Sequence, residues 1–112
     1  YLIRTYDEAA EIVEEVGALN LGLLLDTVIS QQVEQDVIGT WRRHSTLIRH
    51  IQIANYPDRQ EPHPGVIDFP AFFRELDDWG YRGWVSAFYE PAQRTNMGLD
   101  WLEKARRVRV LR

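Results

Sequence analysis

The stretch TYDEAAEIVEEVG sets apolar residues at Ala9, Ile12, Val13 and Val16, a spacing that lines one face of a helix. Thr5 precedes it as an N-cap with Glu8 three residues on, and Gly17 suits the left-handed residue that ends a helix. LNLGLLLD then runs almost continuously apolar into an acid, the pattern of a strand buried on both faces. From about Ser30 to Thr46 the apolar positions Val33, Val37, Ile38 and Trp41 return to helical spacing and predict one helix. LIRHIQIAN predicts a second buried strand, Ile48 to Ala54, and YPDRQEPHPG, dense in proline and charge, predicts a loop. FPAFFRELDDWG predicts a third helix, capped by Asp68, with Pro70 in its first turn and Gly80 as its stop. GWVSAFYEP predicts the third strand, and RTNMGLDWLEKARRV a last helix capped by Thr95.

Strands that alternate with amphipathic helices predict a parallel sheet with helical crossovers, so the expected class is α/β. No linker or low-complexity segment divides residues 1–112, which read as one domain. Three parallel strands make a poor domain by themselves. Both faces need cover, and apolar edges left unpaired seek partners, which predicts weak stability or self-association into a homo-oligomer. A closed eight-stranded barrel takes roughly 250 residues, and this chain is somewhat under half of one. It also starts without Met, inside what reads as a loop. The expectation is therefore a portion of a longer protein.

Composition narrows the function. Hydrophobic residues at 45% and charged residues at 27% suit a folded domain rather than a disordered one. A net charge of −4 argues against a nucleic-acid partner, and the basic run ARRVRVLR reads as a solvated helix end. The absence of cysteine excludes disulfides, CxxC zinc sites and thiol nucleophiles. No apolar run approaches the roughly 20 residues of a membrane helix, so no membrane partner is expected. With no targeting signal in view, the cytoplasm is the expected compartment.

In parallel sheets of this kind the site lies at the strand C-termini. The first strand ends in Asp26. The second offers His50, Gln52 and Ala54 on one face, because side chains alternate along a strand, and turns Ile51 and Ile53 to the helices. The third offers Ser86, Phe88 and Glu90, with Val85, Ala87 and Tyr89 turned outward. Carboxylate and amide oxygens suit a hard divalent ion such as Mg²⁺ or Mn²⁺, and Asp26 and Gln52 carry such oxygens. Asp26 reads equally as a helix cap after a strand. His50 reads equally as a satisfied core histidine. Gln52 is harder to explain as structure, since an unpartnered buried amide costs about 1–3 kcal/mol. Asp58, Arg59 and Glu61 read as solvated loop charges. Arg59, just past a strand end, is also a candidate for an anionic substrate group. His44 and His63 have no spacing that marks them.

The run HIQIANYPDRQEPHPGVIDFPAFFRELDDWGYRGWV resembles the hydroxypyruvate isomerase family, within the wider xylose isomerase-like barrels. The matching features are His50 to Ala54; Pro57, Arg59, Glu61 and Pro62; Gly65, Ile67, Asp68 and Phe69; and Gly80, Tyr81, Gly83, Trp84 and Val85. NLGLLLD resembles the sixth barrel strand, and GLDWL fits the family's last helix. The resemblance implies strands six to eight, the C-terminal part, of a (β/α)₈ TIM barrel. It implies a metal-assisted isomerase that interconverts hydroxypyruvate and tartronate semialdehyde, or related small hydroxy-oxo acids, through an enediol. It also implies roles: Asp26 and Gln52 as metal ligands, His50 near the substrate, Arg59 and Glu61 in the loop that closes over the site.

Two departures stand out. The family reads D-x-Y-H after the sixth strand, where this chain has Asp26, Thr27, Val28 and Ile29. Its eighth strand reads G-C-E-Y-x-P, where this chain has Ser86, Ala87, Phe88, Tyr89, Glu90 and Pro91. The expected catalytic glutamate thus falls on Phe88. Glu90, two residues further along the same face, is the candidate catalytic replacement, reachable through a bulge. The partner glutamate is expected upstream of Tyr1, so these residues alone are expected to be inactive. The alternative is a diverged, non-catalytic relative that binds or scaffolds.

Overall fold

The computed structural model describes residues 4–63, 65–92 and 101–102. Its elements, in chain order, are α1 (Tyr6–Val16), β1 (Leu23–Asp26), α2 (Thr27–Glu34), α3 (Val37–His44), β2 (Ile48–Ile53), α4 (Phe69–Asp78) and β3 (Trp84–Ala87). Three strands form one parallel sheet in the order β1-β2-β3, open at both edges.

The helix ends follow from local chemistry. Thr5 accepts a hydrogen bond from Glu8 N, and Gly17 closes α1 in the left-handed region at φ 67°. The Glu8 carboxylate reaches Arg4 N, one residue earlier than a reciprocal capping box would place it. Asp68 accepts from Ala71 N, Pro70 sits in the first turn of α4, and Gly80 follows that helix at φ 70°.

The single helix expected from Ser30 to Thr46 is two. It begins earlier, at Thr27, and breaks at Gln35, which takes φ 58° and caps α2. Asp36 then caps α3 by accepting from Gly39 N at 2.8 Å. A Cβ at residue 39 would collide with the Asp36 carboxylate, so glycine is what lets this cap close. Apolar spacing registers faces and is blind to such a cap. The last expected helix, capped by Thr95, lies outside the described residues except for Trp101 and Leu102, which are helical.

Helices cover one face of the sheet. Leu25, Ile51 and Ile53 point into that layer and meet Trp41, Phe69, Phe72, Phe73 and Leu76. Each such side chain contributes roughly 1.5–3 kcal/mol of burial. The other face is bare. Leu24 is half exposed, Trp84 is 79% exposed and Phe88 61%. The strands were expected to be buried on both faces; the second layer of cover is absent among the described residues. β1 is correspondingly short, because Leu19 and Leu21 lie exposed ahead of it.

Candidate functional site

Register brings the strand-end residues together. Asp26 pairs with Gln52, and Gln52 with Ser86; one step deeper, Leu24 pairs with His50 and His50 with Trp84. Adjacent strands run about 4.8 Å apart. Asp26, Gln52, His50, Ser86 and Phe88 therefore share the bare face, as their alternation predicts. Phe88 stays in the ladder, its N–H donating to Ile53 O at 3.0 Å.

Asp26 caps α2 and also stands among the candidate site residues. It is buried, and its Oδ1 accepts from Val28 N at 2.9 Å and Ile29 N at 3.0 Å. That fixes the carboxylate and turns Oδ2 toward Arg59, whose Nη1 lies 3.4 Å away. The β1 end is clamped from behind by Tyr6, whose hydroxyl accepts from Asp26 N at 3.1 Å and lies 3.4 Å from Asp26 O. Burial above all raises the Tyr6 phenol pKa, with the Asp26 and Glu34 charges adding to it and the hydrogen bond to Asp26 opposing. Thr27 ties β1 to β2. Its hydroxyl donates to Ala54 O at 2.8 Å and accepts from Ala54 N at 3.1 Å. Strand and helix periodicity give no sign of Tyr6 or Thr27, because both act through hydroxyls at element boundaries.

His50 Nε2 lies 2.9 Å from the Ser86 hydroxyl, so the histidine is held across strands rather than buried alone. Gln52 is only half buried, and its amide finds no hydrogen-bond partner among the described residues. The desolvation argument is therefore weaker than expected, but the amide is free to ligate.

The loop after β2 is folded onto the segment after β3. Arg59 N donates to Asn55 O, Asn55 N to Gln60 O, and Glu90 N to Arg59 O, at 3.0, 3.0 and 2.9 Å. The Tyr56–Pro57 peptide is cis, and Arg59 takes φ 57°. Asp58 is exposed, as a solvated charge should be. Glu61 is not: it is 3% exposed, and its Oε1 accepts from Ala92 N at 3.2 Å. A carboxylate leaves water only where a donor meets it, and here the donor comes from the chain beyond β3. Glu90 itself is exposed. His44, unmarked in the sequence, is buried against Asp7, Nε2 to Oδ1 2.8 Å, on the helical side away from the strand ends.

For a hard cation the donors here are partial. Asp26 Oδ2 and the Gln52 amide oxygen are two oxygens on neighbouring strands, and they suit Mg²⁺ or Mn²⁺, which take about six. Among the described residues no three of His, Cys, Asp and Glu gather as a metal site. Two such donors would supply only part of a coordination sphere. No helix among the described residues is long and apolar enough to cross a membrane.

Residues 1–105 match the family described as xylose isomerase-like TIM barrel. The chain is 40% identical over 103 residues to the 2-oxo-tetronate isomerase of Cupriavidus necator, covering 92% of this chain and 40% of that protein. It is 32% identical over 99 residues to the hydroxypyruvate isomerase of Escherichia coli, covering 88% and 38%. Among solved structures it superposes on an AP endonuclease, family 2, from Brucella melitensis with a TM-score of 0.87 at 35% identity, covering 93% of this chain and 40% of that one. The chain thus spans about 40% of the length of the relatives it matches.

Proposed function

The chain belongs to the xylose isomerase-like TIM barrel family, and from that premise we propose that the protein containing it isomerises a small hydroxy-oxo acid of the hydroxypyruvate type. The carrying observation is Asp26 beside Gln52 at the ends of parallel strands, with the Arg59 guanidinium 3.4 Å from the carboxylate. Asp26 Oδ2 and the Gln52 amide oxygen would hold a divalent ion such as Mg²⁺ or Mn²⁺. Such an ion, when bound, polarises a substrate carbonyl and makes the neighbouring C–H acidic. Arg59 binds the substrate carboxylate, a task for which its planar donor pair is suited. Its left-handed backbone and the bonds of its loop aim it back over Asp26. His50, steadied by Ser86, lines the deeper wall. Glu61 keeps the loop docked to the segment after β3.

Among the described residues no glutamate stands at the strand-end position where the resemblance puts the proton-transferring carboxylate. Phe88 follows β3 on the bare face, and its ring can neither ligate a metal nor carry a proton. We assign the missing carboxylate to groups outside the described residues, and the 112 residues alone are expected to show no turnover.

The exposed Phe88 also favours a second reading, a relative that binds the acid without converting it. One experiment separates the two: interconversion of hydroxypyruvate and tartronate semialdehyde by the full-length protein with Mn²⁺, wild type against Phe88→Glu. Turnover by the wild type supports the isomerase. Turnover only in Phe88→Glu supports the binding protein. If neither variant turns over and neither binds hydroxypyruvate, both readings fail.

A further inference from the structure

The sheet end opposite Asp26 and Gln52 carries a second concavity. It opens between the α3–β2 and α4–β3 connections, holds about 420 Å³, and is walled chiefly by Trp41, Trp79, Tyr81, Arg49 and Arg82. That volume suits a small ligand. Along β2, Arg49 at the cleft and Gln52 at the candidate site are three residues apart, about 10 Å at roughly 3.3 Å per residue.

The cleft is built rather than incidental. Trp41 forms its floor, edge-on to Tyr81 with centroids 5.5 Å apart and to Trp79 at 6.2 Å. Trp79 is 53% exposed, which leaves part of its ring free. Arg49 is steadied at the rim by donating to Thr46 O at 2.8 Å. The Tyr81 hydroxyl folds back to donate to Trp84 O at 2.9 Å, and burial pushes its pKa up to about 12, so it stays a neutral wall. Two glycines make this possible by leaving space. A Cβ on Gly22 would strike the Arg49 stem, and one on Gly83 would strike the Tyr81 hydroxyl and come within 2.9 Å of Arg49 O. Neither glycine lies in the left-handed region, so the requirement is room, not backbone freedom.

Charge completes the picture. The chain carries net charge −4, yet none of the residues lining the cleft is acidic and two are arginines. The Arg82 side chain has no ion pair or hydrogen bond among the described residues. Arg49 and Arg82, with no carboxylate partner among the described residues, put positive charge at the rim of the aromatic wall, while Glu75 behind Trp79 is already held by Arg42. The cleft offers a ring face and charge-assisted donors side by side.

We propose that this cleft binds a small planar ring bearing a carboxylate, independently of the site at the strand C-termini. The ring lies against Trp79 and the carboxylate meets Arg82 and Arg49. The test titrates indole-3-acetate into the full-length protein, read by calorimetry and by the tryptophan side-chain N–H signals. Saturable binding is expected with a Kd below about 1 mM, with shifts at Trp41 and Trp79 but not at Trp84. Indole alone and acetate alone should each bind at least about tenfold more weakly, because each lacks one half of the recognition. Arg82→Glu, a change at an exposed side chain, should weaken binding by more than about tenfold with the melting temperature unchanged. Three results would overturn the proposal: no saturation up to about 10 mM, indole binding as tightly as indole-3-acetate, or Arg82→Glu binding like the wild type.

Discussion

Substituting Asp26 by asparagine and by alanine separates the carboxylate's capping from its charge. Asparagine keeps an oxygen where Oδ1 now accepts from Val28 N and Ile29 N. What it loses is the charge facing Arg59, a contact of 3.4 Å to a side chain that is 37% exposed. With the arginine open to solvent and the contact long, the pair contributes about 1 kcal/mol or less even though Asp26 is buried. Alanine removes the acceptor as well. Loss of an N-cap costs about 1 kcal/mol. Val28 is buried, so its stranded N–H adds part of the roughly 1–3 kcal/mol of an unsatisfied group. Asp26→Ala should therefore destabilise the full-length protein by about 2–3 kcal/mol and Asp26→Asn by less than about 1 kcal/mol. Urea unfolding reads this as a shift in midpoint at constant slope. Calorimetry with Mn²⁺ on the same variants should show both of them weakened, since asparagine retains the cap but not the charge. If Asp26→Asn is as destabilising as Asp26→Ala, the charge rather than the cap holds this end of the sheet. If Asp26→Ala costs nothing, the capping geometry is wrong.

Thr27→Val keeps the shape of a fully buried side chain but strands Ala54 N and O; it should cost about 1–3 kcal/mol in the same unfolding assay, and a neutral result would contradict the β1–β2 tie. Gln52→Ala should weaken Mn²⁺ binding by the full-length protein, and equal affinity by calorimetry removes Gln52 from the ligand set. Arg42→Gln tests a pH dependence. The two hydrogen bonds from Arg42 hold the Glu75 carboxyl below its ordinary pKa, so the pair stabilises above the unfolded carboxyl pKa and is lost as pH falls through the lower folded value. Wild-type and variant melting temperatures should differ at neutral pH and converge in acid; a constant gap would assign the effect to packing of the arginine stem.

Periodicity was enough to find the three strands, α1 and α4, and the face that carries Asp26, His50, Gln52, Ser86 and Phe88. These features repeat along the chain, and repetition is what a sequence displays. The features that escaped are single events. The α2–α3 break depends on Asp36 reaching Gly39 N. The burial of Glu61 depends on Ala92, thirty-one residues later. His44 gains its meaning from Asp7, thirty-seven residues earlier. No local pattern encodes a partner at that distance. Phe88 was legible for a different reason: it falls where the family resemblance puts a glutamate, ahead of Tyr89 and Pro91, which keep that pattern.

Whether Glu90 can stand in for a carboxylate at position 88 comes down to what already holds the chain there. Phe88 N is bonded to Ile53 O, so residue 88 is still in register with β2 and its side chain lies on the bare face. Two residues on, Glu90 N is bonded to Arg59 O and Ala92 N to the Glu61 carboxylate. A bulge that drew Glu90 back toward Gln52 would add a residue to the strand and slide both donors away from their acceptors. Glu61, being buried, would then lose a hydrogen bond that it cannot replace from water. The first bond is worth about 0.5–1.5 kcal/mol and the second, to a charged acceptor, about 1.5–3 kcal/mol. Arg59 would loosen with its loop in the same movement. The proposed anion-binding role of Arg59 and a base role for Glu90 therefore compete for one backbone arrangement, and the arrangement present keeps Arg59 beside Asp26.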